Sequence, residues 1–579
     1  MKPEKLSPGL LTALADYDQE GSAGVMRHVM TLGVVPSLGT PKPERTVVFI
    51  ECDENAKFDH LVEQGIIVNQ PTGTMRTGFL PLENLDVLSE DPQVKRIISS
   101  RYRGTRMDVA PGRVHIPQFR TTNHLNGQGV VIGIVDTGID PSHPAFTGRI
   151  LRIWDQTLSG PGVAEGGYGL ELTGASLTAS RDTNGHGTHV AGMATGNDAS
   201  FGGVAPGARI VFVKTDFQDA HIADGVRYIF RVARELQQPA VVNLSLGGHW
   251  DAHDGTDPMA QIITSESGLG RIVCCAAGNE GNDNIHGQTT LTGNQTGTMR
   301  FKVPNNTARS AFLNGWYPGA ATLEISVRTP GGFVTTPQAV IPPGALATRT
   351  YNLPDALVRV TTPGPDLANG DHHFLVQVSG PLPLTKATGG TWQLILKNTS
   401  ASNAVVDVWA IDDQNGTEIA FTGTSKRDSM KIGSPGCAIG AITCAAFTTK
   451  KQWRDIDGNT LTVGLALNDI SDFSSEGPLR NNTQKPDVAA PGAMIVSALS
   501  RDSSHKRNDM VDSLHLVEAG TSMATPFTVG MVALLLQRNP QLDPAAVRNL
   551  LRTAAKIPNK PAGTFHPKWG FGLIDAQHL

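Results

Sequence analysis

Four runs of the chain, GVVIGIVDTG (129–138), ARIVFVKT (208–215), AVVNLSLGG (240–248) and GRIVCCAAGNEG (270–281), are apolar at nearly every position instead of every second one. A strand with one solvated face alternates in polarity. A strand covered on both faces does not, so these runs specify a parallel sheet buried between helices. The intervening stretches agree, with a helix expected from about Ala223 to Leu236. In such sheets function gathers at the carboxyl ends of the strands.

The flanking regions differ in character. Residues 1–44 form an N-terminal extension, a short amphipathic helix candidate followed by the linker-like SLGTPKPERT. Residues 45–105 read as strand (RTVVFIEC), helix (AKFDHLVEQG), two strands (IIVNQ, TMRTGFLPL), helix (ENLDVLSEDP) and strand (VKRIISS), a compact βαββαβ unit of ferredoxin-like type. Residues 106–284 hold the first part of the α/β domain. Between 285 and 430 short alternating strands such as TMRFKVP, ATLEISVRTP, HHFLVQVSG and AVVDVWAID follow one another without a helix. They predict an antiparallel β-sandwich inserted into that domain. The second part of the domain resumes with CAIGAITCAAF and fills 431–579.

Composition excludes some functions. The 579 residues are 39% hydrophobic with a net charge of −5, and no basic run or aromatic-interleaved basic patch occurs. Nucleic acid and anionic membrane surfaces are therefore not expected as partners. No stretch reaches 18 apolar residues, and the N-terminus has no apolar signal region, which predicts a protein that starts in the cytoplasm. Five cysteines (Cys52, Cys274, Cys275, Cys437 and Cys444) lack zinc spacing and are expected as free thiols. No G-x-G-x-x-G follows the first strand, so a dinucleotide site is not expected.

Several positions carry chemistry. Asp136 ends the first buried strand, where a turn residue would also fit. His186 and His189 stand three apart in TNGHGTHVAGMATG (183–196), as metal ligands, a satisfied core histidine or a base. Asn279 ends another strand in CCAAGNEG, where an asparagine tolerates unusual φ or can aim its NH2 at developing negative charge. Ser522 lies in GTSMATPFTVGMVALLL (520–536), just ahead of an apolar helix. There Ser522 or Thr521 can be an N-cap, or Ser522 can present its Oγ to a cleft with its N–H unpaired in the first turn. An Asp, a His, an Asn and a helix-entry Ser form the set that acyl transfer by serine requires.

The motifs DTGID (136–140), NGHGTHVAG (184–192), NLSLGG (243–248), AAGNEG (276–281) and GTSMATP (520–526) together resemble the subtilisin-like serine proteases, the subtilases of peptidase family S8. The resemblance extends to GVAPGARI, FSSEGP, KPDVAAPG and WGFGLIDA, covering about 120–285 and 430–579. It implies a subtilisin-like parallel sheet with helices on both faces and a serine endopeptidase with Asp136 orienting His186. His186 would be general base and then acid, Ser522 the nucleophile, and Asn279 with the Ser522 N–H the oxyanion hole. His189 would be structural. The resemblance also implies substrate binding along Leu244, Ser245, Leu246 and Gly247, and an S1 pocket walled by that strand and by Ala276, Ala277 and Gly278.

By the same resemblance residues 45–105 look like the family's propeptide, which inhibits its own enzyme, with SSRYRGTRMD (99–108) entering the cleft. The inserted sandwich is similar to the jelly-roll of Csp-type bacterial relatives, pointing to a bacterial origin. Protein or peptide substrates are the expected partners. The chemistry requires no cofactor; structural calcium is common in the family, and DTNGHG and DAHDGTD (251–257) offer oxygen donors. Two other readings stay open on the residues alone: a non-catalytic peptide-binding protein, and a metal-dependent hydrolase using His186, His189 and Asp136.

Overall fold

The computed structural model describes residues 1–21, 24, 28, 34–35, 44–100, 104–105, 112–198, 200–305, 308–342, 344–382, 385–413 and 418–579. At its centre lies a ten-stranded sheet in which eight neighbouring strands are parallel: Leu573–Ile574, Val488–Pro491, Ile442–Phe447, Arg271–Ala276, Ala240–Leu244, Val131–Asp136, Arg209–Lys214 and Ile150–Asp155. The strand order turns back at Val131–Asp136, which leaves a crevice at the carboxyl ends there. Each apolar run serves two cores at once. Ile132 and Ile134 enter one core with the helices His186–Thr195 and Thr521–Arg538, while Val131 and Val135 enter another with the helix Asp219–Glu235. That double coverage explains the missing alternation. The helix expected from Ala223 starts four residues earlier, at Asp219.

The inserted segment forms two antiparallel sheets. Six strands, His286–Leu291, Ala404–Asp412, Ser310–Tyr317, His372–Ser379, Ala356–Pro365 and Thr348–Leu353, face four, Leu323–Arg328, Gly390–Asn398, Thr296–Val303 and Ala420–Thr422. Phe301, Trp392, Leu313 and Phe374 are among the side chains buried between them.

In the N-terminal unit the antiparallel sheet runs Val94–Ser99, Arg45–Cys52, Met75–Pro81, Ile67–Val68. The first expected helix (56–65) is instead a 3-10 turn, Asp59–Gln64, ended by Gly65 at φ 74°. The strand expected over 66–70 shortens to Ile67–Val68. Val47, Phe49 and Ile98 of this sheet join the core beneath the helix Asp219–Glu235.

The N-terminal helix Pro8–Glu20 is buried on most sides, not laid on a surface. Leu10, Leu11 and Ala13 share one cluster with Ile50 and Ile97 of the N-terminal unit and with Phe312 and Leu375 of the sandwich. Thr12 Oγ1 lies 3.1 Å from Thr361 Oγ1, and the fully buried Asp16 carboxylate pairs with Arg359. Of the linker-like stretch 37–46, residues 37–43 lie outside the described residues.

Leu11→Ala should weaken docking of this helix by about 2–5 kcal/mol, the usual cost of emptying a core leucine site. Hydrogen exchange should report it as faster exchange of the amides over 8–20, with the central sheet unchanged.

Candidate active site

Three strand ends and two helix starts meet in the crevice. Asp136 is the last residue of Val131–Asp136, fully buried, and its Oδ1 accepts a 2.6 Å hydrogen bond from His186 Nδ1. That bond fixes the ring's tautomer and presents Nε2 as the working nitrogen. His186 opens its helix because Gly185, at φ 97°, supplies a left-handed N-cap. Gly187 permits the close approach: a Cβ there would lie 2.1 Å from the Gly138 carbonyl oxygen and 3.1 Å from Asp136 Cβ.

Asp182 braces this corner. One of its oxygens accepts from Thr137 Oγ1 and the Gly185 N–H, and the other from the Thr188 N–H and hydroxyl. His189, one turn along, is wholly buried, and burial holds its pKa down to about 3. It stays a neutral core residue across physiological pH.

Ser522 is the second residue of Thr521–Arg538, whose N-cap is Gly520. Neither Thr521 nor Ser522 is therefore the cap. The Ser522 N–H belongs to the first turn, where no intrahelical acceptor exists. Its carbonyl would ordinarily accept from residue 526, but that residue is Pro526. Ser245 Oγ supplies the missing donor, at 2.6 Å from the Ser522 carbonyl oxygen. In return the Ser522 hydroxyl lies 3.2 Å from the Ser245 carbonyl.

Asn279 is clamped through its oxygen. Oδ1 accepts from the Thr521 N–H at 2.7 Å and from Thr521 Oγ1 at 3.0 Å. That leaves the NH2 end to face a ligand. Glu280 Oε2 accepts the Asn279 N–H at 2.7 Å and the Ser475 hydroxyl at 2.9 Å, locking the backbone as well. The sequence reading missed Asp182, Thr521, Glu280 and Ser475 as supports, although all four stand inside stretches it quoted.

Of the expected substrate-binding residues, Leu246 and Gly247 form a two-residue strand paired antiparallel with Thr105 and Gly104. Ser245 couples to Ser522 as described. Leu244 and Leu246 point their side chains into the core beneath the helix Asp219–Glu235. Ala276 and Ala277 are buried and Gly278 takes φ 106°, its N–H donating to Thr521 Oγ1 at 3.1 Å. Of 99–108, residues 101–103 and 106–108 lie outside the described residues.

Two of the aspartates considered for calcium already have protein partners. Both oxygens of Asp182 are taken by protein donors, and Asp254 pairs with Arg480 at 3.0 Å. The three potential ligand groups that come together among the described residues are Asp251, Asp257 and Cys437, not His186, His189 and Asp136. There the Cys437 thiol, its pKa raised well up by burial, hydrogen-bonds both carboxylates. All five cysteines are free and buried.

The pattern of the subtilase family matches residues 127–316 and 379–572. Serine protease AprX of Bacillus subtilis is 23% identical over 80% of this chain and 70% of its own length. Subtilisin-like protease SBT1.2 of Arabidopsis thaliana is 26% identical over 78% of this chain, which spans 62% of that protein. Among solved structures, the Clostridium perfringens CspB protease superposes with a TM-score of 0.65 at 22% identity, covering 80% of this chain and 96% of that one.

Gly187→Ala should push the His186 helix away from Asp136. The far-downfield proton resonance of the Nδ1–H bond should disappear, while the near-ultraviolet spectrum of the protein stays folded.

Proposed function

The chain belongs to the subtilase family of serine-type endopeptidases, and from that premise we propose that Ser522 attacks peptide bonds to form an acyl-enzyme. The observation that carries this reading is the buried 2.6 Å bond from His186 Nδ1 to Asp136, beside a helix-entry serine. His186 Nε2 takes the Ser522 proton as Oγ adds to the carbonyl. The same nitrogen returns the proton to the leaving amine, and water then repeats the sequence on the ester. The Asp136 carboxylate stabilises the imidazolium. The Asn279 NH2 and the Ser522 N–H donate to the oxyanion, and their clamped geometry means little reorganisation is needed. No cofactor enters these steps.

Substrates are proteins or peptides, bound along Leu246–Gly247 with a small-walled S1 pocket at Ala276–Gly278. The pairing of Gly104–Thr105 with that strand supports restraint by the N-terminal unit, which occupies the position a substrate would take. Its dock is polar as well as apolar. Asp224 of the helix Asp219–Glu235 accepts from Gln70 Nε2 at 2.9 Å and Thr77 Oγ1 at 2.8 Å, and burial raises its pKa to about 6. Free thiols and bacterial relatives support a reducing, cytoplasmic setting. No helix among the described residues is long and apolar enough to cross a membrane.

A fluorophosphonate probe should label the protein at Ser522, and labelling should vanish in Ser522→Ala. An equal signal from the variant overturns the reading. Ser522→Ala should lower kcat/KM by at least about 10³-fold, and Asn279→Ala by about 10²–10³-fold.

The double variant Gln70→Ala/Thr77→Val should loosen the N-terminal unit and raise peptide turnover several-fold above wild type. Unchanged turnover with a demonstrably released unit would count against restraint.

A further inference from the structure

A groove of about 680 Å³ opens beside Asn279 and Ala519, and none of residues 244–247 lines it. A peptide that pairs with Leu246–Gly247 on its acyl side and crosses Ser522 meets this groove with the residues that follow the scissile bond. Gly104–Thr105 pairs with Leu246–Gly247, and farther on Arg113 donates to Asn468, in the loop that contributes Val463 to the groove.

The groove has an amphipathic lining of one sign. Trp453, Val463 and Phe473 form apolar walls, Asp283, Asp509 and Glu518 supply carboxyl groups, and no lysine or arginine among the described residues lines it. Glu518 stands four residues before Ser522 with its side chain 15% exposed. Its Oε2 accepts no hydrogen bond among the described residues, and its Oε1 lies 3.6 Å from His505 Nδ1. Burial lowers the His505 pKa, so that ring does not neutralise the carboxylate. A long cationic side chain suits these features: its methylene stem covers the apolar walls and its head meets the field of the three carboxyl groups that line the groove.

We propose that Glu518 is a specificity-determining residue on the leaving-group side, selecting lysine or arginine at one of the first two positions after the scissile bond. The inference rests on Ser522 acting as the proteolytic nucleophile.

Burial raises the Glu518 pKa to about 8; His186 opposes the shift, and Asp509 and Asp182 add to it. The carboxyl is thus neutral below that value and anionic above it. Asp283 lines the same groove. Selectivity for a cation should therefore grow as pH rises through 8, while titration of His186 acts on all peptides alike and cancels in a ratio.

The test compares kcat/KM for peptides that differ only in carrying Lys, Leu or Glu at the first or second position after the scissile bond. Full-chain wild type, Glu518→Gln and Glu518→Lys are measured at pH 7 and pH 9. We expect wild type to favour Lys over Leu by about tenfold at pH 9 and by less at pH 7, the scale of one charge pair in a partly desolvated groove. In Glu518→Gln the ratio should fall towards one at both pH values, and in Glu518→Lys the Glu peptide should become the favoured one. A wild-type ratio near one at pH 9 overturns the inference, as does a Lys preference that survives both substitutions. If wild type cleaves none of the peptides and matches Ser522→Ala, the nucleophile assignment fails and this inference falls with it.

Discussion

Coverage of the central sheet on both faces is the constraint from which the rest follows. With Ile132 and Ile134 sealed on one side and Val131 and Val135 on the other, the strands have no wet surface on which to carry polar groups. Polar side chains can leave such a sheet only at its ends. The turn of strand order at Val131–Asp136 opens space at one end, and there the buried Asp136 is met by the His186 helix. The same tight packing explains the small residues of the motifs. Gly187 lets His186 approach Asp136, and a Cβ on Gly530 would meet Val204 Cβ at 2.4 Å where the helix of Ser522 crosses.

Much of this was legible in the sequence because it is written in short-range patterns. Unbroken apolar runs gave the sheet, and Asp136, His186, Asn279 and Ser522 stood at its strand ends and helix starts within recognisable motifs. The family match covers both halves of the domain and spans the residues that carry those motifs. The supports were harder to see, since Ser475 and Thr521 act wholly, and Asp182 and Glu280 partly, through contacts between distant segments. Ser475 lies nearly two hundred residues from the Asn279 backbone that it steadies through Glu280. Sequence spacing holds no record of such a pairing. Local misreadings had local causes: Gly65 ends the first expected helix of the N-terminal unit after a single 3-10 stretch.

One exchange of hydrogen bonds ties the parts of the site together. Pro526 denies the Ser522 carbonyl its helical donor, and the hydroxyl of Ser245 takes that place, while the Ser522 hydroxyl turns to the Ser245 carbonyl. The helix that bears the serine is thereby held to the edge along which Gly104–Thr105 lies. Asn279 is bound to the same helix start through Thr521, so strand, asparagine and serine are registered to one another.

The cluster shared by Leu11, Ile97 and Phe312 has a consequence for how the molecule comes into being. The N-terminal unit leaves the ribosome first, yet the apolar surface that completes its burial belongs to the sandwich, several hundred residues later. During synthesis that half-covered helix must wait, exposed to whatever else is nearby. Only when the sandwich has closed can the helix Pro8–Glu20 complete its burial, at about the time the segment carrying Ser522 itself emerges.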